Sequence, residues 1–268
     1  AVMRFEVDGE TVFAATGSGS HDTDAPWVVF VHGAGFDHSI WVMPTRYFAR
    51  HGLNVLALDL PGHGRSMGAP LQSIVEMADW LGRVLDSLGV RETAVVGHSM
   101  GSLVAYQFAA TQPMRCRSLA LLGTSAPMPV TDLLLDAARD GDHAAIDMAN
   151  TWSHSRRGKL GANENPGVWM MGVGERLLEA ASVEAFYWDL AACDGFDASR
   201  LDTVSCSALV ITGEADQMTP AHAGLEVAET LDQARIVGLA GCGHSMLSEQ
   251  PNAVLDALIE LLCEPHAA

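Results

Sequence analysis

Gly97-His98-Ser99-Met100-Gly101 places a serine where a strand has to turn sharply into a helix. Thr93-Ala94-Val95-Val96 before it is small and β-branched, the composition of a short buried strand. Ser102 to Ala110 after it has helix-forming composition and an apolar face. Glycines two residues to either side of the serine suit a turn in which strand and helix pass too close for a Cβ. Such a turn exposes Ser99 Oγ at a helix N-terminus, where backbone N–H groups favour a developing negative charge. The pattern alone recurs by chance in many sequences; the strand and helix around it give it weight.

A serine hydroxyl is a poor nucleophile at neutral pH, so a base must take its proton and an acid must orient that base. Ala208 to Thr212 reads as a buried strand that ends in Gly213-Glu214-Ala215-Asp216-Gln217-Met218-Thr219-Pro220. An acid just past a strand's C-terminal end is where open α/β sheets place working residues. Ala234 to Leu239 gives a further strand, followed by the glycine-rich Ala240-Gly241-Cys242-Gly243-His244-Ser245. Glu214 and Asp194 compete with Asp216 as the acid; Glu214, ahead of the loop tip, is expected to cap or face solvent. His98 is expected to point to the other side of the turn from Ser99, and His32 and His63 to brace loops. Cys242 lacks an elbow and reads as packing. None of the 11 histidines stands at ligand spacing from Cys, Asp or Glu, so no metal is expected.

In these segments and their order the chain resembles the α/β-hydrolase superfamily, along nearly its whole length. Val31-His32-Gly33-Ala34-Gly35, after the strand Trp27-Val28-Val29-Phe30, looks like the oxyanion loop of that family. Asp59-Leu60-Pro61-Gly62-His63-Gly64-Arg65-Ser66 looks like its structural turn, and the segments around Asp216 and His244 like its acid and histidine loops. The resemblance implies a triad of Ser99, Asp216 and His244, with the N–H groups of Ala34 and Met100 as the oxyanion hole. Ser102 departs from the pattern, since many relatives carry a second glycine there.

Met3 to Thr16 alternates apolar and polar residues around Asp8-Gly9-Glu10, the pattern of an antiparallel hairpin at a sheet edge. Apolar strands follow at Trp27–Val31, Asn54–Leu58, Thr93–Val96, Ser118–Leu122, Ala208–Thr212 and Arg235–Leu239, with helices between them, notably Ile74–Leu88. The expected fold is therefore α/β: an α/β-hydrolase fold with a mostly parallel eight-stranded sheet, helices on both faces and an inserted helical cap. Residues 1–125 and 203–268 are expected to form the core, and 126–202, all helix and too long for an ordinary loop, the cap. Trp152, Met170, Met171 and Trp188 are the cap residues expected at the substrate. Arg156-Arg157-Gly158-Lys159 reads as a solvated loop or an attractor for a substrate carboxylate.

The chain has 268 residues, a net charge of −18 and 49% hydrophobic residues, enough for one sizeable α/β core. Its acidity argues against nucleic acid and anionic membranes as partners, leaving a small-molecule substrate. No apolar run reaches the ~18 residues of a membrane span, and the N-terminus lacks a basic, then apolar, leader pattern. The five scattered cysteines suit a reducing compartment better than a disulfide framework. A cytoplasmic location is the expectation. The combined reading is a serine hydrolase acting on a carboxylic ester or lactone of a small, largely apolar substrate, without a cofactor. A carbon–carbon bond hydrolase or a cofactor-free peroxidase or oxygenase on the same fold is the enzymatic alternative. A hydrolase-like ligand-binding receptor is the alternative of another class.

Overall fold

The computed structural model describes residues 1–17, 21–22, 24–165 and 167–263; the remaining positions of the expected core and cap lie outside the described residues. Strand β1 (Val2–Val7) turns through Asp8 and Gly9, both at positive φ (55° and 80°), into β2 (Glu10–Ala15). Two consecutive residues of that conformation make the tight turn whose twist matches paired antiparallel strands. β3 (Trp27–Val31), β4 (Asn54–Leu58), β5 (Thr93–His98), β6 (Cys116–Leu122), β7 (Val204–Gly213) and β8 (Leu231–Leu239) complete the sheet. The eight strands lie in the order β1-β2-β4-β3-β5-β6-β7-β8, with β1 and β2 antiparallel and all pairs from β4 to β8 parallel.

The parallel strands are apolar on both faces because helices cover both. In β3, Val29 and Val31 join a core with α2 (Ile74–Ser87) and α3 (Met100–Thr111). Val28 and Phe30 point the opposite way, towards Phe48 of α1 (Val42–Arg50) and Leu258 of the C-terminal helix Pro251–Cys263. The chain leaves β3 towards β4 on one side and enters β5 on the other, so β3 and β5 are neighbours at the switch point of the sheet. Open α/β sheets form their crevice outside the carboxyl ends of the strands at such a point. The loops after β3 and β5 therefore meet there.

Both strands at the far edge are longer than their apolar runs. β7 starts at Val204 rather than Ala208, and β8 at Leu231 rather than Arg235. Among the described residues β8 pairs with β7 alone, and Asp232 and Gln233 sit in solvent while Leu231 and Gln233 still pair with β7. An apolar pattern cannot mark residues that a strand leaves exposed.

Between β6 and β7 the chain forms α4 (Asp132–Arg139), α5 (Ala144–Trp152), α6 (Arg156–Lys159), α7 (Met170–Ala180) and α8 (Val183–Asp194), with no strand among the described residues. Leu134, Ala138, Ala145, Ala149, Leu178, Phe186 and Leu190 make a separate small core here, and Ala34 and Phe36 from the loop after β3 pack against it. Three helices follow: α9 (Ala221–Glu229), α10 (Met246–Glu249) and the C-terminal α11. Among the described residues, no helix is long and apolar enough to cross a membrane.

The passage from β5 into α3 leaves no room for side chains at its glycines. A Cβ at Gly97 would collide with the carbonyl of Gly101, and one at Gly101 with the carbonyl of Val31. Gly101→Ala should therefore lower stability by more than about 2 kcal/mol, because backbone rather than a movable side chain must yield. Urea unfolding of the variant, with a midpoint equal to that of the parent, would show that α3 can shift.

Candidate active site

Ser99 sits between β5 and α3 at φ 55° and ψ −120°, a conformation costing a non-glycine residue about 1–3 kcal/mol that packing must hold in place. Its N–H donates to the Leu122 carbonyl of β6 at 2.9 Å. Ser102 holds the first turn: its hydroxyl donates to the Ser99 carbonyl at 2.5 Å and bonds Thr124 Oγ1 at 2.9 Å. The hydroxyl that departs from the family pattern thus ties the turn to the segment after β6. Met100, the first residue of α3, is fully buried.

His244 and Asp216 come together from the loops after β8 and β7. His244 Nδ1 donates to Asp216 Oδ2 at 2.8 Å, with Thr219 Oγ1 3.1 Å from the same nitrogen. Thr219 Oγ1 also donates to Asp216 Oδ2, and the N–H groups of Met218 and Thr219 donate to Asp216 Oδ1, each at 2.8–2.9 Å. Burial alone would raise the Asp216 carboxyl; the positive charge and hydrogen bond of His244, with the Thr219 donors, outweigh it and hold the carboxyl below its ordinary value. Glu214 is exposed, and Asp194 accepts from Val130 N at 2.9 Å on the helical insertion. Cys242 is fully buried and its thiol is pushed up by that burial.

Ser99 and His244 border one cavity of about 70 Å³, room for a handful of water-sized groups. Ala34, Phe36, Met218 and Thr219 line it from the core, Met128 to Val130 from the entry to the insertion, and Ala149, Ser153, Leu178, Phe186, Leu190 and Cys193 from its helices. Among the described residues, no Lys, Arg, Asp or Glu is part of this lining. Trp152 and Trp188 fall outside it: Trp152 packs against the insertion's own core, and Trp188 stacks at a tilt on Tyr187. Met170 lines a smaller neighbouring cavity with His98, His154 and Ser245. Met171 lines neither cavity. Arg156, Arg157 and Lys159 are exposed on α6 and do not line the cavity at Ser99.

Three histidines brace this end of the sheet. His98 Nε2 donates to the His244 carbonyl at 2.8 Å; burial, reinforced by the charge of His244, pushes it down to about 3 and keeps it neutral. His32 accepts from Leu60 N at Nε2 and donates from Nδ1 to the Gly33 carbonyl, and burial with the charge of His63 lowers it to about 4. His63 donates from Nδ1 to the Pro61 carbonyl at 2.9 Å and from Nε2 to Asp189 Oδ2 at 2.6 Å. Burial opposes its charge, but Asp189 overrides that and holds His63 above its ordinary value.

Two buried carboxylates were not among the residues expected from sequence. Asp189 on α8 accepts the Gly35 N–H at 2.8 Å as well as the His63 proton. Glu249 on α10 accepts from Gly243 N at 3.2 Å and Ser155 N at 3.1 Å, and is bonded by the Ser155 hydroxyl. The only signal for Asp189 is its isolation in the apolar run Phe186-Tyr187-Trp188-Asp189-Leu190-Ala191-Ala192-Cys193. Glu249 carries none that separates it from a surface acid.

Over residues 28–257 the chain matches the Alpha/beta hydrolase family. The chain belongs to that family. Among curated relatives of this α/β-hydrolase is an (E)-2-((N-methylformamido)methylene)succinate hydrolase of Acinetobacter baylyi, 24% identical over 237 residues, or 86% of this chain and 88% of that protein. Another is a 2-hydroxy-6-oxononadienedioate/2-hydroxy-6-oxononatrienedioate hydrolase of Cupriavidus pinatubonensis, 27% identical and covering 95% of this chain and 92% of the relative. Among solved structures, the enol-lactonase of Burkholderia xenovorans LB400 superposes with a TM-score of 0.88 at 23% identity, over 98% of this chain and 100% of that one.

The lowered carboxyl of Asp216 gives this α/β-hydrolase an acid-dependent stability component. Because the folded value lies below the unfolded one of ~3.9, that component is complete above the unfolded value and is lost as pH falls through the folded one. The stability gap between the parent and Asp216→Asn should therefore narrow as urea unfolding is repeated from about pH 6 downward through the carboxylate range. Exposed Glu214→Gln should show no such trend. A gap that keeps its size at every pH would contradict the lowered carboxyl.

Proposed function

We propose that this α/β-hydrolase cleaves a carboxylic ester or lactone of a small, largely apolar substrate through an acyl-enzyme. The observation that carries this reading is the meeting of a strained serine and an acid-tied histidine at one cavity that, among the described residues, no Lys, Arg, Asp or Glu lines. His244 takes the Ser99 proton as Oγ bonds the substrate carbonyl carbon, and the carbonyl oxygen becomes an oxyanion received by the Ala34 and Met100 amides. Removing one such donor typically costs ~3 kcal/mol of barrier. His244 then returns the proton to the departing alkoxide; in a lactone that alcohol stays tethered to the acyl group. Water, deprotonated by His244, attacks the acyl-enzyme and frees Ser99. Asp216 fixes the imidazole tautomer and stabilises the imidazolium. Residues 126–202 serve as the cap that closes the cavity.

Similarity to the Cupriavidus protein supports a second reading, carbon–carbon bond hydrolysis. The dioate in that relative's name carries two carboxylates, and the cavity here offers no Lys or Arg to receive one. In addition, Ser245 follows His244 where hydrolases of ring-cleavage products often carry tryptophan. The ester and lactone reading is the better fit.

Ser99→Ala should lower turnover of p-nitrophenyl butyrate by at least about four orders of magnitude with an unchanged Tm, and should abolish the fluorophosphonate adduct mapped to Ser99. Comparable turnover in the variant would sink the assignment. A parent protein that binds ligand without a burst or an adduct would be a receptor.

A further expected outcome concerns the cavity wall. Phe186→Ala and Leu190→Ala should shift kcat/KM from acetyl towards longer acyl esters by about tenfold, since both side chains border the cavity. Trp152→Ala and Trp188→Ala should instead lower the rate on all esters alike together with Tm. The reverse assignment of these four variants would show that the tryptophans, and not the smaller residues, face the substrate.

A further inference from the structure

Asp189 is an expensive residue where it stands. It is fully buried, its Oδ2 receives both the Gly35 N–H and the His63 Nε2–H, and its Oδ1 has no hydrogen-bond partner among the described residues. A buried carboxylate with one oxygen unpaired costs stability that a hydrophobic residue at the same helical position would not. His63 donates from both nitrogens, to a carbonyl and to a carboxylate, which requires the imidazolium. The pair thus sets a negative charge beside the loop that holds Ala34 and cancels it with a positive one. Gly35 is at φ 73°, and a Cβ there would press on Phe186 and Leu178 of the insertion at 2.9 and 3.0 Å. This loop is therefore nested against the same helices that wall the cavity.

We infer that Asp189, paired with His63, is a positioning residue: it holds the loop from His32 to Phe36 so that the Ala34 amide stays aimed at the reacting carbonyl. It also ties that aim to α8, whose Phe186, Leu190 and Cys193 border the cavity. The wall that selects the acyl group and the amide that receives the oxyanion then move as one body. This inference rests on the acyl-transfer reading above.

The variants Asp189→Ala, Asp189→Asn, His63→Gln and the double variant His63→Gln/Asp189→Asn test it with p-nitrophenyl acetate. Asparagine can place its oxygen where Oδ2 accepts both bonds and its amide nitrogen where Oδ1 has no partner. Asp189→Ala should lose about 30-fold in kcat, short of the hundredfold or more that follows loss of an oxyanion donor, with KM within about twofold. Asp189→Asn should recover to within a few-fold of the parent. His63→Gln leaves the Asp189 charge uncompensated beside the loop and should lose about tenfold, and Asp189→Asn on that background should restore the rate. A kcat for Asp189→Ala equal to the parent's, an Asn variant as poor as the Ala variant, or additive losses in the double variant would each overturn the inference. If Asp189→Ala does not fold, the His63→Gln pair of variants decides.

Amide hydrogen exchange of the peptide spanning residues 33–36 separates this inference from the function it rests on. Exchange there should quicken in Asp189→Ala and stay near the parent's in Asp189→Asn; equal exchange in all three overturns the positioning role whatever the turnover. A parent protein without esterase turnover, but with that exchange pattern, would overturn the acyl-transfer reading and leave the positioning role standing.

Discussion

The carbonyl of Val31 occupies the space that a side chain at residue 101 would need. That close approach is the constraint from which the rest of this end of the molecule follows. It lets α3 drop directly beneath β3, and it forces Ser99 into a positive-φ conformation that no free peptide would hold. The same contact brings the loop after β3 against the serine, because a Cβ on Gly33 would already touch the side chains of Ser99 and His98. Serine, the loop after β3 and the start of α3 are thus one packed unit. Its position at the switch point of the sheet is set by strand order rather than by any catalytic side chain.

Loops at the carboxyl end of a parallel sheet carry backbone N–H groups that no ladder can satisfy. This protein satisfies several of them with carboxylates. Among the described residues, the buried acids are Asp59, Asp189, Asp216 and Glu249, and each accepts backbone N–H groups from a loop at this end. Asp59 takes His38 and Arg65, Asp189 takes Gly35, Asp216 takes Met218 and Thr219, and Glu249 takes Gly243 and Ser155. Three of the four are also joined to a histidine. The arrangement explains how a chain of net charge −18 buries acids near its site with, among the described residues, no salt bridge from these acids to a lysine or arginine. Convergent N–H dipoles and imidazoles do what a cation would do elsewhere. Two of these acids also bridge the core and the insertion, Asp189 from α8 to the loop after β3 and Glu249 from the histidine loop's side to Ser155.

The core was legible in the sequence because buried parallel strands are short, apolar and bounded by turn residues. Trp27–Val31 and Asn54–Leu58 match to the residue. Within the elbow, Gly97 is demanded locally by the Gly101 carbonyl, whereas Gly101 answers to the distant Val31 carbonyl and was legible only through the spacing of the two glycines about Ser99. Legibility fails where a partner lies far along the chain. Whether Asp189 meets Gly35 depends on how α8 docks, 154 positions away, and nothing in the local pattern encodes that. The cavity wall shows the same limit. Size and aromaticity favoured Trp152 and Trp188, yet the insertion turns Leu178, Phe186 and Leu190 inward. A helix with apolar residues around much of its circumference does not announce which of them faces the neighbour.

The absence of Lys and Arg from the cavity lining bears on product release as much as on substrate choice. On the proposed reaction the substrate enters neutral and the acid product leaves as a carboxylate. Apolar walls hold the neutral ester by the area they remove from water, but the product anion meets no compensating charge there and is better solvated outside. The acidic surface adds a field that repels the anion and draws it outward, an effect that salt screens beyond roughly 10 Å. On that proposal ground-state affinity is graded in the direction of the reaction, and the proposed amides of Ala34 and Met100 would serve the oxyanion only while it is covalently attached to Ser99. On the same proposal, a cation placed in that wall would tighten binding of substrate carboxylates and of the product alike.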